Sequence, residues 1–293
     1  MEYVICTDAS CDLQLDVKEK NNIVFVPMEY SIGEEMRTSY GCEEDDILKK
    51  FYDGQRNGDF TKTTQITPYM YQNFFEKFLE EGKSVLYLSL SSGLSSTFNS
   101  ACLAAQNLKD EYPDLDVFPI DSLSATGGIG VLVERAISNR DNGMTIEENR
   151  DDLEKAKHDT KTWFLVDDLN YLKRGGRVSA ATAFLGSMLN VKPMLRILQN
   201  GKLDTIMKKR GSRPAMLALF EIFKKSYDKE KGNVIYICDA DNNSLASELA
   251  ALVKEFDSNI IIRRTMLSPI IGAHTGPNML CICHLGNEIE FWL

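Results

Sequence analysis

The sequence contains no apolar run that approaches the ~18 continuous residues of a membrane-spanning helix. Its opening residues, MEYVICTDAS, read as the start of a strand where a signal peptide would carry its charged and apolar regions. A cytoplasmic protein without an integral membrane segment is expected. Positive charge is also short, with 33 Lys and Arg against 43 Asp and Glu for a formal charge of −10. That balance repels a phosphate backbone and argues against nucleic acid as a partner. The densest basic run, Lys208, Lys209, Arg210 and Arg213, can meet one phosphate or one acidic surface, or lie on a solvated face.

Motifs that would announce catalysis are missing as well. There is no Gly-x-x-x-x-Gly-Lys-Ser/Thr loop, and Gly127-Gly128-Ile129-Gly130 lacks the Gly-x-Gly-x-x-Gly spacing that brings a backbone close to a pyrophosphate. Ser91 to Ser96 has no Gly-x-Ser-x-Gly elbow to strain a serine into exposure. The seven cysteines are scattered and odd in number, as expected of reduced thiols in a chain this long. Cys281 and Cys283, with His284 beside them, lack the ligand spacing and second ligand pair of a compact metal site. No cofactor is expected.

What is present is a succession of short apolar strands, polar turns and helices. At 293 residues the chain exceeds the size that one core usually serves, so two domains are expected, 1–160 and 161–293. The first half places strands at Tyr3 to Cys6, Ile23 to Pro27, Ser84 to Leu90 and Val117 to Ile120. Helices begin at Pro68 with Thr67 as cap, after Ser96, near Thr126, and at the capping box Thr145-Ile146-Glu147-Glu148. This alternation predicts an α/β fold with a parallel sheet. The second half contains a turn-forming dipeptide, Asn200-Gly201, between Met194 to Leu198 and Leu203 to Met207, which predicts a hairpin and hence a mixed-sheet α+β domain. Further strands are expected at Trp163 to Val166, Val234 to Cys238, Asn259 to Ile262 and Met279 to Cys283, with helices from Pro214 and over Ser244 to Phe256.

Ligands of open α/β sheets gather outside the carboxyl ends of the strands. Four polar loops are expected there: Thr7 to Ser10, Thr61 to Thr64, Ser91 to Ser96 and Asp121 to Ser124. The hydroxyls around Gly93 suit a carboxylate or phosphate held by neutral donors, or serve only to cap the following helix. His274, in the glycine-marked loop expected over Gly272 to Asn278, can donate to an oxyanion or be structural. Arg174 and Arg177 flank Gly175-Gly176 and can form carboxylate forks or stay on the surface. A hydrolase built on Ser92 or Ser95, with His274 as base and Asp8 or Asp121 orienting it, is the rival arrangement.

Six segments in order resemble the DegV family of bacterial fatty-acid-binding proteins. They are Thr7 to Leu13, Lys62 to Gln65, Ser91 to Thr97, Asp121-Ser122, Tyr171 to Ser179 and His274 to Pro277. The resemblance runs from end to end. It implies two α/β domains enclosing a long-chain fatty acid, which some members present to a partner kinase that phosphorylates the carboxylate for phospholipid synthesis. Carried onto this chain, the carboxylate-holding hydroxyls fall at Thr63 or Thr64 and at Ser92 or Ser95, with His274 nearby. Arg174 belongs to a motif tied to the head-group end or to partner docking. Two departures stand out, Ile66 where the family commonly has proline and Asn278 where it commonly has glycine. The expected protein is a non-catalytic, monomeric carrier. A lipid-responsive regulator without a kinase partner is a further alternative.

The chemistry fits. A buried carboxylate needs donors in compensation, and hydroxyl-rich loops near helix N-termini supply them. Each buried methylene contributes about 0.8 kcal/mol, so a chain of about sixteen carbons reaches roughly 10 kcal/mol before ordering costs. Wall candidates are Phe184 to Leu189, Met194 to Leu198, Met216 to Phe220 and Met266 to Ile271.

Overall fold

The computed structural model describes residues 2–179 and 190–290; the run Phe184 to Leu189 lies outside them. Strands β1 (Tyr3–Asp8), β2 (Val24–Val26), β6 (Ser84–Ser89) and β7 (Val117–Asp121) form a four-stranded sheet in the order β2-β1-β6-β7, parallel throughout. Every residue of β6 is buried, as expected of a central strand covered on both faces. Around this sheet pack α3 (Pro68–Glu80), α4 (Thr97–Leu108), α5 (Gly127–Asp141) and α6 (Ile146–Ala156). Thr67 caps α3 by accepting from the Met70 N–H at 3.3 Å, and Thr145 and Glu148 complete a reciprocal capping box on α6.

Residues 28–63 hold an element that the sequence analysis does not anticipate. Strands β3 (Met28–Ile32), β4 (Glu35–Ser39) and β5 (Thr61–Thr63) make a separate antiparallel sheet in the order β4-β3-β5. Helix α1 (Leu15–Lys20) precedes it in the chain, and α2 (Asp45–Arg56) connects β4 to β5.

The second half builds a mixed six-stranded sheet from β8 (Thr160–Leu165), β9 (Val191–Ile197), β10 (Leu203–Arg210), β11 (Val234–Asp239), β12 (Ile261–Met266) and β13 (Leu280–Leu285), ordered β10-β9-β8-β13-β11-β12. Only the β11–β12 pair is parallel. The expected hairpin is β9–β10, turning at Asn200-Gly201. Helix α7 (Asn170–Arg174) follows β8, and α8 (Ser212–Ser226) and α9 (Asn243–Phe256) seal a core around Trp163, Leu165, Leu219 and Phe223. The architecture is thus two-domain α/β, with a parallel N-terminal and a mixed C-terminal sheet.

Helix α5 explains how the halves join. Ten of its fifteen residues are buried, because it touches β1 and β6 of the first sheet and β8, β11 and β13 of the second. Its first seven residues, Gly127 to Val133, are all buried, and a stretch that is apolar all round belongs inside. Its small residues let Tyr236 pack against it, and the Tyr236 hydroxyl donates to Glu134 of the same helix at 2.6 Å. One continuous core consequently contains Ile5, Leu86 and Ile129 together with Phe164, Tyr236 and Cys281.

The segment around His274, expected as a loop, is in its greater part a short helix, α10 (Pro269–Thr275). Pro269 at its first position is preset for a helix start.

Candidate functional site

A cavity of about 440 Å³ lies where the two halves meet. Its wall carries polar groups from three chain segments: Thr63 and Thr64 at the end of the small sheet, Ser92 to Ser96 after β6, and His274 on α10. The rest of its wall is largely apolar, with Phe164, Leu172, Ile197, Leu203, Ile270 and Ile271 among the lining residues, and also carries Thr126, Thr162, Arg177 and Thr275. Of the expected wall runs, those around 194–198 and 266–271 contribute Ile197, Ile270 and Ile271. Met216 and Leu219 instead belong to the core beneath α8.

Each polar segment is held by its own contacts. The Ser91 to Ser96 loop is tied to the neighbouring loop by Ser91 N–H to the Ser124 carbonyl at 2.9 Å and by Ser92 N–H to Asp121 Oδ1 at 3.1 Å. The same Asp121 oxygen accepts from Leu123 N–H, so one carboxylate fixes both loops. Ser91 Oγ reaches across to the hairpin turn and donates to the Gly201 carbonyl at 2.9 Å. Helix α10 is anchored from α2 and β5: Tyr52 donates to the Leu267 carbonyl, Gln55 to that of Gly272 and Thr61 to that of Ala273, at 2.9, 2.9 and 3.1 Å. Asp12, fully buried, accepts from Ser268 N–H at the start of α10 and from Thr126 Oγ1 at the start of α5. Burial pushes its carboxyl up to about 7, with these two donors working in the opposite direction.

Thr63 and His274 meet directly, Oγ1 to Nε2, at 2.8 Å. Burial, followed by the positive charge of Arg177, pushes the His274 imidazole down to about 4. It is therefore neutral at neutral pH, with one ring nitrogen a donor and the other an acceptor. His274 ring resonances should stay constant from about pH 8 to pH 5 and move only as the pH approaches 4. A midpoint above about 6 in an NMR titration would contradict the enclosed position of this ring.

The remaining expected residues divide. Ser92 is exposed at the cavity and its hydroxyl has no partner among the described residues, leaving it open to a ligand. Ser95 also lines the cavity, but its hydroxyl pairs with Thr97 Oγ1 at 2.7 Å and accepts from Thr97 N–H at the start of α4. Thr64 is exposed and donates to Glu29 at 3.1 Å. Arg174 does not line the cavity. Its guanidinium lies over the rings of Tyr171 and Phe60, 4.5 and 5.3 Å from their centroids. Arg177 lines it instead, donating from Nε to the Leu94 carbonyl at 2.9 Å and from Nη1 to the Gly175 carbonyl.

Gly176 accounts for the division between the two arginines. Its φ of +74° terminates α7 in the left-handed conformation that glycine adopts without strain, and Arg177 N–H returns to the Leu172 carbonyl at 2.9 Å. Arg174 remains on the outer side of the helix while Arg177 is folded back toward Leu94.

A serine hydrolase would need its nucleophile hydrogen-bonded to the imidazole. Here His274 Nε2 is engaged by Thr63, and Ser95 by Thr97. No group of three or more His, Cys, Asp or Glu side chains among the described residues is arranged to hold a metal ion. No helix among them is long and apolar enough to cross a membrane.

A family model described as "Uncharacterised protein, DegV family" matches residues 2–287. The chain belongs to the DegV family. DegV domain-containing proteins of Clostridium perfringens and Streptococcus pyogenes are 32% and 34% identical to it, over 99% and 98% of this chain and 99% of each relative. Among solved structures, a DegV lipid binding protein of Thermotoga maritima superposes with a TM-score of 0.82 at 30% identity, covering 99% of this chain and 100% of that one. A DegV family protein of Thermus thermophilus, solved in a study of fatty acid binding, superposes with a TM-score of 0.84 at 27% identity, covering 98% and 100%.

The two departures from the DegV pattern both lie off the cavity wall. Ile66 is buried in the core. Asn278 has φ +64°, which explains a family preference for glycine and makes Asn the most tolerable substitute. Its side chain donates to Asp167 at 3.0 Å, so the added polarity is satisfied beside the site.

Proposed function

We propose that this protein binds a long-chain fatty acid in the cavity between its halves, with residues 1–160 supplying most of the head-group loops, and presents the carboxylate to a partner acyl kinase. The observation that carries the proposal is the polarity of one void. It joins the Thr63–His274 pair and the Ser92 hydroxyl, which has no partner among the described residues, to a wall that includes Phe164, Leu172, Ile197 and Ile270. Its volume of about 440 Å³ falls within the ~300–1,000 Å³ of small-molecule sites. The Thermotoga and Thermus relatives, described as binding lipid and fatty acid, support the same ligand class. A fatty acid kinase B3 protein of Streptococcus pneumoniae shares the fold at 22% identity.

Affinity comes from the tail and orientation from the loops. A neutral imidazole paired with Thr63 orients that hydroxyl, which together with Ser92 can donate to the carboxylate and leave the acid's oxygens chemically available to a kinase. ATP and magnesium would belong to that partner.

Lipid extraction and native mass spectrometry of the purified protein should recover a fatty-acid mass. Displacement of a fluorescent fatty acid by palmitate should weaken about 5- to 150-fold in Ser92→Ala and in Thr63→Val, corresponding to roughly 1–3 kcal/mol for a donor lost from a charged group. Wild-type protein that neither carries nor takes up fatty acids would refute binding. Bound palmitate that an ATP-dependent acyl kinase cannot phosphorylate would refute the presenting role alone.

A further inference from the structure

We infer that a second cavity, lined by the loop after β1, the start of α2 and the end of β12, binds a free basic amino acid such as lysine. It has a volume of about 380 Å³, within the range of small-molecule sites, and shares no lining residue with the first cavity. Asp12 and Ser268 lie in its buried part, and Asp16, Glu44 and Asp45 stand at its exposed rim. With Glu43, five acidic side chains line it against one base, Arg264. The site is independent of the fatty-acid proposal, which stands or falls on the other cavity.

Two of these charges are held in place without being matched. Glu43 Oε1 accepts from the Ser39 hydroxyl and from the N–H groups of Tyr40, at 2.9 Å, and Gly41, at 3.1 Å, whereas its Oε2 has no partner. The Arg264 guanidinium donates to Ser247 Oγ at 3.1 Å and to Asn243 Oδ1 at 2.6 Å, both neutral, whereas its Nε has no partner. Ser268 is only 3% exposed, and its Oγ, near Asp12 but outside hydrogen-bond geometry, is also unpaired. Buried polar atoms without partners are uncommon in folded proteins. Seven occur among the described side chains, and three of them belong to residues of this one cavity.

The ligand follows from what these groups lack. Arg264 Nε and Ser268 Oγ are donors in want of an acceptor, which a carboxylate supplies, and Glu43 Oε2 is an acceptor in want of a donor, which an ammonium supplies. An α-amino acid carries both. The remaining acids keep the cavity negative, so a second cationic group on the ligand's side chain is favoured at the rim. Leu48 and Met266 give its alkyl stem an apolar wall. The lining acids are not grouped as metal ligands among the described residues, which sets an organic ammonium above a divalent ion.

The test is isothermal titration calorimetry of the full chain with L-lysine, cadaverine and L-norleucine at low ionic strength, where charge contributions are least screened. Cadaverine lacks the carboxylate, and norleucine lacks the second ammonium. Wild type should bind lysine about ten-fold or more tightly than either. Arg264→Gln should bring lysine down to the level of cadaverine while leaving cadaverine within about three-fold, and Glu43→Gln should weaken lysine and cadaverine together by about five-fold or more. The ligand comparison on wild type needs no variant, so it decides the matter even where a substitution unfolds the chain. Cadaverine binding as tightly as lysine would reduce the cavity to an acidic patch and overturn the inference. An absence of lysine binding up to about 10 mM, or an unchanged lysine affinity in folded Arg264→Gln, would overturn it too. None of these outcomes touches the uptake of palmitate by the first cavity.

Discussion

Asp8→Ala should lower the stability of the whole protein by about 3–5 kcal/mol, a large share of the ~5–15 kcal/mol that a folded domain possesses. Asp8 is fully buried at the end of β1, and both its oxygens are in use. Oδ1 accepts from the backbone N–H and the hydroxyl of Ser10, and Oδ2 from Tyr87 Oη at 2.7 Å and Leu90 N–H at 3.0 Å. The Tyr87 hydroxyl is in turn 2.5 Å from that of Tyr71, so the network extends into α3. Alanine removes the acceptor that four donors share in the core. Asp8→Asn keeps the volume and one acceptor oxygen but turns an amide NH₂ toward the other pair of donors, and should fall between wild type and alanine. Thermal unfolding should show a drop of roughly 10 °C or more for alanine. A shift within about 2 °C would mean that the network contributes little net stability. Leu90 directly precedes the Ser91 to Ser96 loop, so ligand affinity should fall in the same variant, and it should do so in proportion to disorder of that loop.

Most of the scaffold around this network is legible in the residues themselves. Short apolar runs with polar turns at their carboxyl ends yield β1, β6 and β7, and Asn200-Gly201 yields the β9–β10 hairpin, because local turn chemistry and strand patterning agree there. The sheet of β3, β4 and β5 is less visible. Four of the five residues of β4 are exposed, among them Glu35 and Arg37, and β5 has only three residues, so the alternation is weak. Gly33, at φ +59° between β3 and β4, was the available turn signal. His274 and Thr63 are separable candidates in sequence, 211 positions apart, and only the packing of α10 on α2 and β5 makes them partners. Tyr52 and Gln55, which hold that helix, carry no signal beyond membership of an amphipathic segment. The choice between Arg174 and Arg177 depends on which side of α7 faces the cavity, a fact of tertiary placement that the spacing of two arginines does not contain.

Gly175→Ala should lower fatty-acid affinity by about ten-fold or more while changing unfolding little, and it isolates the head-group geometry from the fold. The reason for glycine here is space. Gly175 has φ −72° and ψ −11°, which alanine adopts without strain, so the backbone does not demand it. A Cβ at this position would overlap His274 Nδ1 and stand a tight 3.1 Å from Cε1, and the imidazole would have to move. Displacing the ring breaks or lengthens its 2.8 Å contact with Thr63 and shifts the donor presented to the carboxylate. The Gly175 N–H to Tyr171 carbonyl bond survives, as do the elements on either side. A double-mutant cycle decides the cause: in a His274→Ala background the added methyl meets empty space, and Gly175→Ala should then cost no further affinity. Equal losses in the presence and absence of His274 would show that the methyl acts through something other than the ring, and the close approach of Gly175 to His274 would lose its functional meaning.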